Sequence, residues 1–254
     1  MLKYRIRALP ILKTHYRNKS MLLYLANGSH ATWTNYVYYI EGAKRNIIID
    51  TASPVEEITS KGNDSSLRVE GIKSFEEALE EIGLKPTEID LVILTHLHVD
   101  HYLNVFKCAN AEVVIQEEEL KFASSPHPLY AWVYPKEPLE KLKRMNLRIV
   151  RGDEEIDDGI NILFTPGHTP GCQSIMVETS KGPVIITGFC CTRENFEPKM
   201  DTLQLLPPGI STLPVIPPGI HTDVLQAYDS MIKIKRLASI IVPLTDDNNP
   251  RIIG

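Results

Sequence analysis

No run of apolar residues in this 254-residue chain approaches the ~20 needed to cross a bilayer, so a membrane partner is not expected. The beginning, Met1-Leu2-Lys3-Tyr4-Arg5-Ile6, reads as a charged strand and not as a signal peptide. Lys and Arg nowhere cluster, and the formal net charge is -5. A nucleic-acid partner needs a basic surface to neutralise its phosphates, which argues instead for a small-molecule substrate. Cysteine is scarce: the four, at positions 108, 172, 190 and 191, show no disulfide-framework spacing and fit a reducing cytoplasm. Apolar residues make up 43% of the chain, enough for one large core or two fused halves, so residues 1–254 are expected to form a single domain.

What the chain does have is His96-Leu97-His98-Val99-Asp100-His101, directly after the apolar run Leu91-Val92-Ile93-Leu94-Thr95. Three imidazoles and a carboxylate in six residues are ligands that zinc or iron prefers. Residues two apart in an extended segment point the same way, so His96 and His98 reach one ion while Asp100 and His101 face a neighbouring position. A third ligand has to come from elsewhere, and His168 in Gly167-His168-Thr169-Pro170-Gly171 is the candidate.

These motifs resemble those of the metallo-β-lactamase superfamily, with its His-x-His-x-Asp-His loop and later Gly-His-Thr-x-Gly loop. The resemblance extends to Asn46-Ile47-Ile48-Ile49-Asp50-Thr51, whose Asp anchors the metal loop in that family. The segments Thr192-Arg193-Glu194-Asn195-Phe196 and Pro217-Pro218-Gly219-Ile220-His221-Thr222-Asp223 are similar to the N-acyl homoserine lactonase branch. Three groups that the resemblance implies are missing. The bridging Asp falls in Ile186-Thr187-Gly188-Phe189-Cys190-Cys191, which has no carboxylate; Thr245 stands in place of a last metal His; and Cys191 replaces a Tyr.

A bridging carboxylate compensates the repulsion between two dications roughly 3.5–4 Å apart, so its loss favours one ion over two. Three neutral nitrogens and an open place are the ligand set of a mononuclear catalytic zinc, although iron or manganese would also be accepted. Such an ion lowers the pKa of bound water to about 7, and Asp100 or His101 could then act as general base. A Cys190 or Cys191 thiolate is an alternative second-position ligand, as is Asp246 for the lost His; simple packing of the two cysteines is the competing reading. His221 either lines the pocket or belongs to a helix cap with Thr222 and Asp223.

The expected fold is a four-layer αβ/βα sandwich with the metal loops at one edge. Runs at Met21–Leu25, Tyr36–Ile40, Asn46–Ile49 and Leu91–Leu94 read as strands of a first sheet. Val113–Ile115, Leu147–Val150, Ile160–Phe164, Ser174–Val177 and Val184–Thr187 read as the second. A helix capped by Ser74 and stopped at Gly83 covers one sheet, and an amphipathic helix over Val224–Leu237 covers the other. The polar stretch Ser53–Gly71, with Lys61 to Ser66 at its centre, reads as a mobile loop or lid. The aromatic segment Ser124–Pro135 lines a pocket, pairs two subunits as a homodimer, or packs in the core, and the proline-rich run Leu206–Gly219 is either functional or structural. The functional expectation is a metal-dependent hydrolase of an ester, lactone or similar acyl compound. The alternative is a metal- or ligand-binding or redox protein that keeps the fold without hydrolysis.

Overall fold

The computed structural model describes residues 4–26, 30–59, 67–204, 206, 208–210 and 212–254. Its strands, in chain order, are β1 (Arg5–Tyr16), β2 (Ala31–Glu41), β3 (Ile47–Ile49), β4 (Leu67–Gly71), β5 (Leu91–Ile93), β6 (Glu112–Gln116), β7 (Asn146–Val150), β8 (Glu154–Asp157), β9 (Ile160–Phe164), β10 (Gln173–Thr179), β11 (Gly182–Ile186), β12 (Ile240–Val242) and β13 (Ile252–Ile253). The first sheet runs β13-β1-β2-β3-β5-β6-β7, with β4 also paired to β1, and the second runs β12-β11-β10-β9-β8.

Alternation of side chains along each strand explains the layering. Ile47 and Ile49, Leu91 and Ile93, and Val114 face the second sheet, where they meet Ile160, Ile162, Ile175, Val177, Val184 and Ile186. Their in-between neighbours Ile48, Val92, Val113 and Ile115 face outward onto Phe75, Ala78 and Leu79. On the far side, Leu163 and Ile185 pack under Met231 and Ile234 of the helix Val224–Leu237. Strands buried on both faces read as unbroken apolar runs, as Ile47-Ile48-Ile49 does. The four-layer αβ/βα sandwich is therefore the fold observed.

Both expected helices form. Ser74 accepts from Glu77 N while the Glu77 carboxylate accepts from Ser74 N, a capping box that starts the helix Phe75–Glu80. Asp223 accepts from Leu225 N and Gln226 N at the start of the helix Val224–Leu237.

Three expectations need correction. The strands at Val113–Ile115 and Leu147–Val150 belong to the first sheet, because β5, β6 and β7 pair in parallel through crossovers that keep them adjacent. Met21–Leu25 is no strand: Asn18 caps a short 3-10 turn at Lys19–Met21, Leu25 has φ 58°, and Leu22 and Leu23 are buried against Trp33 and Ile216. The segment Ser53–Gly71 is not a loop throughout, since a helix covers Val55–Thr59 and β4 pairs with β1 from Leu12 to Tyr16; Lys61 to Ser66 lie outside the described residues. The apolar run in Leu206–Gly219 is also put to use, with Val215 and Ile216 fully buried.

Candidate metal centre

The metal-loop histidines sit where β5 ends, and Asp50 at the end of β3 holds the turn that follows. Its Oδ1 accepts from Thr95 N at 2.8 Å, while Oδ2 accepts from Thr95 Oγ1 at 2.8 Å and from His101 Nδ1 at 2.9 Å. Asp50 has φ 54°, a left-handed conformation that Asp tolerates better than most residues. The anchoring role implied by the sequence resemblance is thus visible as three hydrogen bonds.

Those bonds fix the protons of the ligand rings. Thr95 has one hydroxyl proton, which it donates to Asp50; at 3.0 Å from His96 Nδ1 its oxygen must therefore accept, which places a proton on Nδ1 and leaves a lone pair on Nε2. His168 Nδ1 donates to Ile220 O at 2.7 Å, which likewise leaves its Nε2 bare. The two bare nitrogens face each other at 3.2 Å. Lone pair against lone pair is repulsive unless a cation lies between them. His98 completes the cradle: its Nε2 is buried and without a hydrogen-bond partner. The ligand atoms of His96, His98 and His168 all lie within 4.8 Å of one another. Burial pushes the pKa values of His96 and His98 well down and that of His168 down to about 4, so all three rings are neutral, as metal ligation requires.

A second cluster adjoins the first: His96, His101 and Cys190 also converge within 4.8 Å. His101 Nε2 lies 3.4 Å from Cys190 Sγ and 3.4 Å from Asp100 Oδ2. Its pKa is pushed well up: desolvation opposes the charge, but Asp100 and Cys190 and the bond to Asp50 outweigh it. His96 has only Nε2 free, so it cannot ligate fully in both clusters at once. No carboxylate is present in residues 186–191, the segment where the resemblance implies a bridging one, and within it Gly188 has no room for a side chain, a Cβ there lying 1.9 Å from Gln173 O.

The other candidates are held elsewhere. Cys191 packs with Phe189 and Met231 and bonds to Thr187 Oγ1 at 3.1 Å, while burial pushes its thiol up to about 12. Asp246 accepts from Arg193 N at 2.6 Å and Asn248 N at 2.9 Å, and Thr245 Oγ1 donates to Cys191 O at 3.0 Å. His221 acts through its backbone carbonyl, which accepts from Tyr130 OH, and its Nδ1 donates to Pro218 O at 2.9 Å. The aromatic segment divides: Tyr134 is buried with its ring 5.2 Å from that of His98, whereas Trp132 is 61% exposed.

Two residues of the site carried no signal in the sequence. Asn35 of β2 donates to Asp100 Oδ2 at 2.9 Å and fixes that carboxylate. Glu119, fully buried, lies beneath both ligand loops. Polar side chains on a strand or in the run Glu117-Glu118-Glu119 otherwise read as solvent-facing.

Beside the rings lies an apolar cavity of about 90 Å³, lined by Met21, Leu22, Trp33, Val99 and Ile220 among others and reaching His98, Asp100 and Cys190.

Comparison with known proteins agrees with this geometry. An "N-acyl homoserine lactonase" from Bacillus sp is 34% identical over 172 residues, 64% of this chain and 66% of the relative, so the chain spans just under two thirds of that protein. An "N-acyl homoserine lactonase AttM" from Azorhizobium caulinodans is 29% identical over 118 residues, 43% of this chain and 44% of the relative. The fold matches a B. thuringiensis AiiA mutant crystallised with N-decanoyl-L-homoserine at its active site, with a TM-score of 0.74 at 24% identity over 97% of this chain and 95% of that one. It also matches AidC, a dizinc quorum-quenching lactonase, with a TM-score of 0.69 at 16% identity over 99% and 90% of the two chains. Residues 32–240 match the family model described as the metallo-beta-lactamase superfamily, and the chain belongs to that superfamily.

Proposed function

We propose that this protein is a metal-dependent hydrolase of esters, lactones or similar acyl compounds, with a single ion held by His96, His98 and His168. The observation that carries this reading is the pair of bare imidazole nitrogens 3.2 Å apart beside the partnerless Nε2 of His98. Zn²⁺, or Fe or Mn in its place, would supply Lewis acidity toward a carbonyl and toward water when bound. The absence of a carboxylate in residues 186–191 supports one ion rather than two. Asp100, His101 and Cys190 surround the neighbouring position and would be the ligands of a second ion if one bound.

The chain's own residues supply the rest. Asp100 is 21% exposed, is oriented by Asn35 and lines the cavity, which suits it to orient a water and accept its proton. The cavity is lined chiefly by apolar side chains and opens onto His98, Asp100 and Cys190, which suits it to the acyl part of a substrate. Its apolar walls exclude water from that part of a substrate and leave the carbonyl at the polar end. The lactonase names of the sequence relatives support an acyl substrate class.

Elemental analysis of protein purified without added metal, followed by assay against a panel of lactones and esters, tests the reading. The expected result is about one transition-metal ion per chain, lost with turnover in His96→Ala. Full turnover after complete metal removal would refute it, and an occupied site with no activity on any acyl substrate would favour a binding protein instead.

A further inference from the structure

We propose that Glu119 is a positioning residue that sets the metal affinity of this protein by locking the two ligand-bearing loops to each other. This rests on the assignment of His96, His98 and His168 as the metal cradle. Glu119 lies in the first turn of the helix Glu117–Ser124 and is fully buried. Its Oε1 accepts from Leu97 N, between the two histidines of the first loop, at 2.8 Å, and from Tyr134 OH at 3.0 Å. Its Oε2 accepts from Thr169 Oγ1 at 2.5 Å and Gly171 N at 3.2 Å, both in the loop that carries His168. One carboxylate thus joins residues 97 and 169, which flank ligands on separate loops.

The contact is built into the backbone as well. At Gly171 a Cβ would lie 2.0 Å from Glu119 N, so the second loop rests directly on the helix at this residue. Four donors converge on two oxygens, each oxygen serving one backbone N–H. Desolvation raises the carboxyl pKa and the four donors oppose that rise in part; no cationic side chain takes part in these bonds. An amide offers one acceptor oxygen and an N–H₂ group in place of two acceptors. Glu119→Gln must therefore turn a donor toward one loop's donors, and the link between the loops is broken on one side.

Metal affinity is read by competition with a chelator on Glu119→Gln, on Thr169→Val, which removes one bond and leaves the glutamate, and on Glu118→Gln as the neighbouring surface control. Groups that orient ligands in this way typically change affinity by about 10–100-fold. The expected result is weakening of that order in Glu119→Gln, a smaller loss in Thr169→Val, restored by Thr169→Ser, and none in Glu118→Gln. Amide hydrogen exchange on metal-free protein gives a readout without the ion: whichever of Leu97 and Gly171 faces the new amide N–H₂ should lose protection in Glu119→Gln. Parent-like affinity in both Glu119→Gln and Thr169→Val overturns the proposal, as does unchanged protection of both Leu97 and Gly171 in Glu119→Gln. Absence of metal binding by the parent protein defeats the hydrolase reading separately, because the exchange measurement is made on metal-free protein.

Discussion

Asp50→Asn tests the chain of protons that runs from β3 to the metal cradle. The positive φ of 54° is one that Asn adopts readily, so backbone strain does not confuse the result. The new amide can keep the bond from Thr95 N through its oxygen, but its N–H₂ then faces the Thr95 hydroxyl and His101 Nδ1, which both donate to Asp50 in the parent. Thr95 must turn its hydroxyl to accept from the amide. Its proton then points at His96 Nδ1, 3.0 Å away, and the ring is driven to the tautomer with its proton on Nε2. The nitrogen needed for the metal is thereby capped.

Two magnitudes follow. Bonds to a charged acceptor contribute about 1.5–3 kcal/mol each, so loss of one or two lowers stability by roughly 2–4 kcal/mol. For a domain of this size, about 2–4 °C per kcal/mol gives a fall in Tm on the order of 5–15 °C in metal-free protein. The wrong tautomer weakens metal binding by about 10–100-fold, equivalent to roughly 1.4–2.7 kcal/mol. Differential scanning calorimetry of metal-free protein and chelator competition measure the two effects. A Tm within 2 °C of the parent, together with a metal Kd within twofold, would refute the proton assignment.

Metal-free protein should be acid-sensitive. The pKa values of His96, His98 and His168 are depressed in the fold, so the unfolded chain binds more protons below ~6.5, and the stability these residues contribute is complete above that value and is lost as pH falls toward the folded-state value of about 4 for His168. Urea titrations at pH 7 and 5 should show a markedly lower midpoint at pH 5, and equal midpoints would count against neutral buried rings; His101, whose pKa is raised, opposes this loss only at higher pH, since its contribution is complete below ~6.5. Gly171→Ala should cost about 1–3 kcal/mol, because the added methyl meets helix backbone at 2.0 Å that cannot give way, and an unchanged urea midpoint would show that the loop is free to move.

The parts of this molecule that were legible in the sequence are those in which chemistry dictates residue type. Few residues other than His96, His98 and His168 can offer a neutral nitrogen to an ion, and Ile47-Ile48-Ile49 can hardly be anything but a strand buried on both faces. Pairing between distant segments was less legible. β6 and β7 read as strands, but their membership of the first sheet depends on parallel register with β5, which no local pattern encodes. Met21–Leu25 is apolar enough for a strand, yet the Asn18 cap and the left-handed Leu25 close it into turns. Glu119 is hidden in an acidic run because its burial arises from loops 22 and 50 residues away.

That division bears on how such a site is made. Each ligand loop is held by a group that belongs to another element: Asp50 from β3 grips Thr95 and His101, Glu119 from a helix grips Leu97 and Thr169, and Ile220 from the connection before the last long helix grips His168. None of the three anchors is itself a proposed ligand. A loop that had to be ordered by the ion would charge that ordering against metal affinity, whereas loops fastened from outside leave the binding energy of the ion largely undiminished.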